Sequence, residues 1–194
     1  SRIAFEDDAL IFDIHEHAAP LPFPIRGRVT IRPDIEQTEV FTLDARGRHV
    51  WRPVWPRARV EARFDAPEIA WSGDGYVDMN AGVEPLEDGF QSWSWARTPF
   101  ENGAAILYDC RLKSGAEAGH ALRIGPDGQA HGFEPPAAAA LPGVRWGVAR
   151  PGRSDGAARI VQTLEDTPFY SRSLIETDLL GERRISMHES LDLA

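Results

Sequence analysis

Cysteine, lysine and long apolar runs are all scarce in this chain, and each scarcity excludes something. Cys110 is the single cysteine of 194 residues, which rules out an internal disulfide framework and a multi-cysteine metal site and suits a reducing compartment. A net charge of −9 is the opposite of what phosphate backbones reward, so no nucleic-acid partner is expected. Lys113 is the only lysine, and the arginines that supply nearly all the positive charge read as the mark of a GC-rich genome rather than of a function. No apolar run approaches the roughly 20 residues that span a bilayer. The basic start, apolar centre and small-residue cleavage site of a signal peptide are also missing, so a protein made and kept in the cytoplasm is expected. No long stretch repeats apolar residues at i, i+3, i+4 and i+7, which excludes a helical bundle. Ser171 and Ser173 lack a G-x-S-x-G elbow, which leaves serine hydrolase chemistry unsupported.

What is present alternates. Apolar and polar residues take turns over Arg26 to Arg32, Glu39 to Asp44, Gln91 to Arg97, Ala104 to Lys113, His120 to Ile124, Val144 to Val148 and Arg159 to Thr163. Turn signals separate them at Arg46-Gly47, Ser72 to Gly75, Glu101 to Gly103, Pro126 to Gly128 and Ser154 to Gly156. Short strands at regular spacing predict an all-β domain, a sandwich or a closed antiparallel barrel. Two proline-rich breaks, Ala18 to Pro24 and Pro135 to Pro142, read as a crossover and as a segment with room for one short helix. Neither demands a boundary, so residues 1–194 are expected to form one domain. The chain does not begin with Met, and Ser1-Arg2-Ile3 reads as mid-strand text, so residues are expected before Ser1.

His15-Glu16-His17 could present two imidazoles on one strand face, but no third ligand or cysteine spacing accompanies it, and an exposed strand end is expected. Met187 and Glu189 to Asp192 read as another strand end.

One segment is denser in unusual residues than the rest. It runs Trp71-Ser-Gly-Asp-Gly-Tyr76-Val-Asp78-Met-Asn80-Ala-Gly82-Val-Glu84-Pro85-Leu86-Glu87, then Phe90, Trp93, Trp95 and Arg97. In a strand, Tyr76, Asp78 and Asn80 share one face. Such a face is costly to bury in an apolar interior, and its plain reading is the outward side of a surface strand.

This segment resembles the signature of the acyclic carotenoid 1,2-hydratases, also called hydroxyneurosporene synthases: roughly G-x-G-Y-x-D-x-N-x-G-x-x-P-L-E, then F and a W-x-W-x-R strand. Gly73, Gly75, Tyr76, Asp78, Asn80, Gly82, Pro85, Leu86, Glu87, Phe90, Trp93, Trp95 and Arg97 carry the match, and His49-Val50-Trp51 fits the family's upstream His-x-Trp. Wider lipocalin-like relatives often carry tryptophan where this chain has Ala81. The resemblance implies a lipocalin-like β-barrel, alone or as part of a two-barrel enzyme. It also implies cofactor-independent action on the ψ-end of lycopene or neurosporene. Such hydrocarbons live in the bilayer, so a barrel docking peripherally on a membrane is expected, through apolar loop tips given the negative charge.

The residue types suit the chemistry. Hydrating a trisubstituted alkene needs an acid able to protonate carbon, and Asp78 is the candidate; in an apolar pocket a carboxyl keeps its proton. Tyr76, on the same face, can hydrogen-bond or reprotonate it. Trp51 is the candidate to stabilise the tertiary cation, with Trp71, Trp93, Trp95 and Phe90 lining the substrate path. His49, sharing a strand face with Trp51, is suited to take a proton from the attacking water. The plainer readings differ: core packing for Trp71, Trp93 and Trp95, and turn chemistry for Asp74, Glu84 and Glu87. Arg97 is expected away from Asp78, since a guanidinium there would keep the acid ionised. Two other readings stay open: a terpenoid cyclase or isomerase that shields the cation from water, and a carotenoid-binding lipocalin without turnover.

Overall fold

The computed structural model describes residues 1–193, and their regular structure is almost entirely strand. The elements are β1 (Arg2–Glu6), β2 (Ala9–His17), β3 (Pro24–Ile35), β4 (Phe41–Thr42), β5 (His49–Ala66) and β6 (Glu68–Gly82), then the single helical turn α1 (Leu86–Gly89). After it come β7 (Phe90–Phe100), β8 (Gly103–Leu112), β9 (Glu117–Ile124), β10 (Ala130–Gly132), β11 (Ala138–Leu141), β12 (Arg150–Arg153), β13 (Arg159–Asp166), β14 (Tyr170–Leu179) and β15 (Glu182–Asp192). Two compact units divide the chain: Ser1–Thr38 with Pro53–Asp78, and Glu39–Arg52 with Met79–Ala194.

In the first unit, β1, β2 and β3 form antiparallel ladders that continue onto residues 57–66 of β5. Asp7 and Asp8 close the β1–β2 hairpin with φ of 50° and 57°, the left-handed pair that matches strand twist, in a residue type that tolerates it. Ala58, Val60 and Ala62 alternate inward on β5, and Trp55 stacks on Phe5 with ring centroids 6.2 Å apart. Gly75 lies so close over this strand that a Cβ there would sit 2.4 Å from Val60 Cγ2. Ser72 to Gly75, expected as a turn, is instead the interior of β6, where Gly75 serves close approach rather than reversal. His15, Glu16 and His17 end β2 exposed, as expected. Among the described residues no group of His, Cys, Asp and Glu could hold a metal ion.

In the second unit, seven strands run antiparallel in the order β10-β9-β8-β7-β15-β14-β13. The predicted all-β antiparallel class is what forms, but this ladder is open: β10 and β13 end it without pairing with each other among the described residues. β13 also carries two register shifts against β14, the irregularity by which edge strands avoid further pairing. Gly103 turns β7 into β8 with φ +135°, and a Cβ there would lie 2.0 Å from the Ile124 carbonyl oxygen, so only glycine fits. Ala96, Phe100, Ala105, Leu107 and Leu179 form an apolar core cluster. Burial pushes the Cys110 thiol up to about 12, which keeps it protonated and unreactive.

Residues 138–141, given room for a helix in the sequence, pair instead as β11 with β12. Residues 144–148, expected as a strand, form the turn of that hairpin around Gly147 at φ +87°. Two arginines pin it. Arg150 is buried and donates through Nε to Pro142 O at 2.6 Å, through Nη1 to Thr163 Oγ1 and Ser173 Oγ, and through Nη2 to Gly143 O. Arg153 grips Asp109 through Nε and Nη2.

Beneath the hairpin, β14 and β15 present Ser171 opposite Ser190 and Ser173 opposite His188, all fully buried. His188 Nε2 donates to Pro151 O at 2.8 Å. Burial holds the His188 pKa below 6.5, with the Arg150 charge adding to the effect and the Pro151 bond opposing it. A depressed folded-state value means that the unfolded chain takes up the proton first. This contribution to stability is whole above pH 6.5 and is lost as pH falls from there through the folded-state value. His188→Gln keeps a donor for Pro151 and removes the titration. Thermal melts from pH 7.5 to 5 should therefore fall less steeply for the variant than for the wild type, and parallel slopes would exclude His188 as the source.

Candidate functional site

The period-two reading of β5 holds: His49 is 3% exposed and Trp51 0%, both turned inward. His49 is fixed from its backbone outward. Its N–H donates to Asp44 Oδ2 at 2.8 Å, and Asp44 also accepts from Arg46 N. Burial pushes Asp44 up, but backbone N–H groups of His49, Arg46 and Arg48 outweigh it and hold the carboxyl below its ordinary range.

The imidazole sits in a collar of glycine and aromatic. Phe90 meets it edge-on at 4.7 Å. A Cβ at Gly82 would lie 2.5 Å from His49 Nδ1, and one at Gly89 2.8 Å from Nε2. Neither position admits a side chain while the ring stays in place. Nε2 is buried without a hydrogen-bond partner among the described residues, and Glu84 Oε1 lies 3.5 Å away. Arg48 Nη2 holds the other Glu84 oxygen at 2.5 Å.

His49, Glu84 and Phe90 help to wall an apolar cavity of about 200 Å³, with Leu43, Val50, Asn80, Leu86, Trp93 and Tyr108. Tyr108 links it to the tryptophans. Trp51 stacks on Tyr108 edge-to-face at 5.4 Å and Trp93 at 5.8 Å. Phe41 and His120 also pack near Trp51, with His120 Nε2 donating to Thr42 O at 2.7 Å.

Of the residues singled out in the sequence, the structure brings His49, Phe90 and Trp93 to one cavity and buries Trp51 and Trp95. Tyr76 and Asp78 lie on β6 in the other unit, where the Tyr76 hydroxyl donates to Asp78 Oδ2 at 3.2 Å and Asp78 is exposed. Trp71, expected along the substrate path, is 53% exposed on the same strand. Glu84, read as a turn residue, and Tyr108, not singled out, both wall the cavity. The proline beside Glu84 was a turn signal that masked the carboxylate's reach, and Tyr108 sits in an ordinary alternating strand.

All-β composition, antiparallel ladders and an apolar cavity walled in part by a buried imidazole define an all-β antiparallel protein with a candidate ligand site in its second unit. A crystal structure of a candidate AttH protein from Nitrosomonas europaea superimposes on 98% of this chain and 67% of that one with a TM-score of 0.59, and its 13% identity makes this a likeness of fold alone. The sequence is more specific: the chain belongs to the carotenoid hydratase CrtC family, whose model matches residues 1–194. It is 44% identical to an acyclic carotenoid 1,2-hydratase of Thiocapsa roseopersicina, 38% to that of Rubrivivax gelatinosus and 37% to that of Cereibacter sphaeroides. These alignments take in 98–100% of this chain. The chain spans 48% of the first two relatives and 70% of the third.

Proposed function

We propose that this chain carries the reacting groups of a hydratase that adds water across the terminal C1=C2 bond of an acyclic carotene such as lycopene or neurosporene. The observation that supports it most is the buried His49 imidazole in the wall of an apolar cavity, with its Nε2 lacking a hydrogen-bond partner among the described residues. Such a group is costly to keep unless it has work to do. Asp78 protonates the alkene carbon, and Tyr76, already hydrogen-bonded to it, returns a proton to the carboxylate. The desolvation that keeps a carboxyl protonated comes with the substrate, because a polyene laid against an exposed carboxyl excludes water from it. Trp51 and the aromatic residues packed on it stabilise the tertiary cation, and His49 takes the proton of the water that captures it.

Exposed Leu21 and Phe23 at the β2–β3 turn are the apolar tip for peripheral contact with the bilayer that holds the substrate. No described helix is long and apolar enough to cross it.

The test is incubation with lycopene or neurosporene in heavy water that carries labelled oxygen. A hydratase yields a tertiary alcohol with one deuterium on the protonated carbon and the oxygen label on its neighbour. A cyclase or isomerase incorporates deuterium at most, and a carrier shifts the polyene spectrum with neither label. A bound but unlabelled carotene would sink the enzymatic reading.

A further inference from the structure

We infer that Glu84 is the positioning residue for His49 and the acceptor through which the proton taken up by His49 leaves toward solvent. The inference rests on the hydratase reading above. The His49 ring borders two spaces that differ in the charged residues around them. One is the apolar cavity walled by Leu43, Val50, Phe90 and Trp93. The other is a cleft of about 300 Å³ whose lining includes the charged Asp44, Arg46, Arg48, Asp88 and Lys113. Among the described residues only His49 and Glu84 line both.

The two ring nitrogens divide the same way. Nδ1 lies against Gly82, part of the cavity wall, and Nε2 lies against Gly89, part of the cleft wall. Glu84 stands on the Nε2 side, with Oε1 3.5 Å from the ring and Oε2 tied to Arg48. Arg48 thus fixes which carboxylate oxygen faces the imidazole. The separation is that of an ion pair rather than a hydrogen bond, and such catalytic contacts commonly tighten when substrate binds. A carboxylate at Nε2 favours the tautomer with its proton there, leaving the Nδ1 lone pair toward the cavity.

The step balances. A lone pair of the water oxygen forms the bond to the tertiary carbon, and one O–H bond breaks with its electrons kept by oxygen. That proton goes to Nδ1, the Nε2 proton passes to Glu84 Oε1, and the carboxyl releases it to water in the cleft. Hydrocarbon and bulk water never need to share a chamber.

Glu84→Gln in the intact protein tests this with two readouts. Turnover should fall roughly 100-fold, with KM changed less than threefold, because general-base assistance acts in the transition state. Ring-nitrogen NMR of labelled His49 should show the Nε2-protonated tautomer in the wild type and lose that preference in the variant. Glu84→Asp, with a carboxylate set further back, should recover part of both. If the glutamine variant does not fold, Arg48→Met carries the test, since it keeps the carboxylate and removes its anchor. A wild type that hydrates carotene beside a folded variant within threefold of it and with an unchanged tautomer would overturn the inference alone. A wild type that never hydrates carotene overturns the hydratase reading instead, and the tautomer measurement still decides whether Glu84 orients His49.

Discussion

Asp78→Asn is expected to abolish turnover while the fold stays nearly intact. The amide has the shape of the carboxyl and can still accept from Tyr76 Oη, 3.2 Å away, but it has no proton acidic enough to give to carbon. Loss of the general acid should cost at least about 10³-fold in turnover. Asp78 is exposed, so the stability change should stay within about 0.5 kcal/mol. Denaturant unfolding together with the labelled-product assay checks both halves. Activity within a few-fold of wild type would remove Asp78 from the acid role.

Trp51 should separate packing from electrostatics. Trp51→Ala empties a site with no solvent exposure and should cost about 3–5 kcal/mol of stability. It also removes an aromatic face worth on the order of 2 kcal/mol to a desolvated cation, more than tenfold in rate. Trp51→Phe keeps a smaller ring against Tyr108 and Phe41 and should be milder on both counts. Equal stability and equal activity in tryptophan, phenylalanine and alanine would leave residue 51 without either role.

Much of this was legible from residue order, and the failures have identifiable physics. Alternation located β3, β7, β8, β9 and β13, because a strand with one face turned inward must repeat every second residue. The same period put His49 and Trp51 on one face. Gly75 misled because glycine marks two different needs, a reversal of the chain and the close approach of another strand, and only the position of Val60 distinguishes them. Residues 138–141 misled because alanine is the strongest helix former, and pairing with β12 overrides that preference. No linker marks the two compact units, since β5 and β6 each contribute residues to both. Glu84 was hidden for a related reason. Its contact with His49 joins segments far apart in the chain, and nothing local to either residue announces it.

Arg150 gives the composition a second meaning. Its guanidinium reaches two carbonyl oxygens of the hairpin turn and two hydroxyls of β13 and β14 from one buried position. Lysine has three donors on a single nitrogen at the end of a flexible stem, whereas arginine spreads five over a rigid planar fork. At this position a lysine, with its donors on one nitrogen, could not serve all four acceptors, and the substitution would release the hairpin from the strands beneath it.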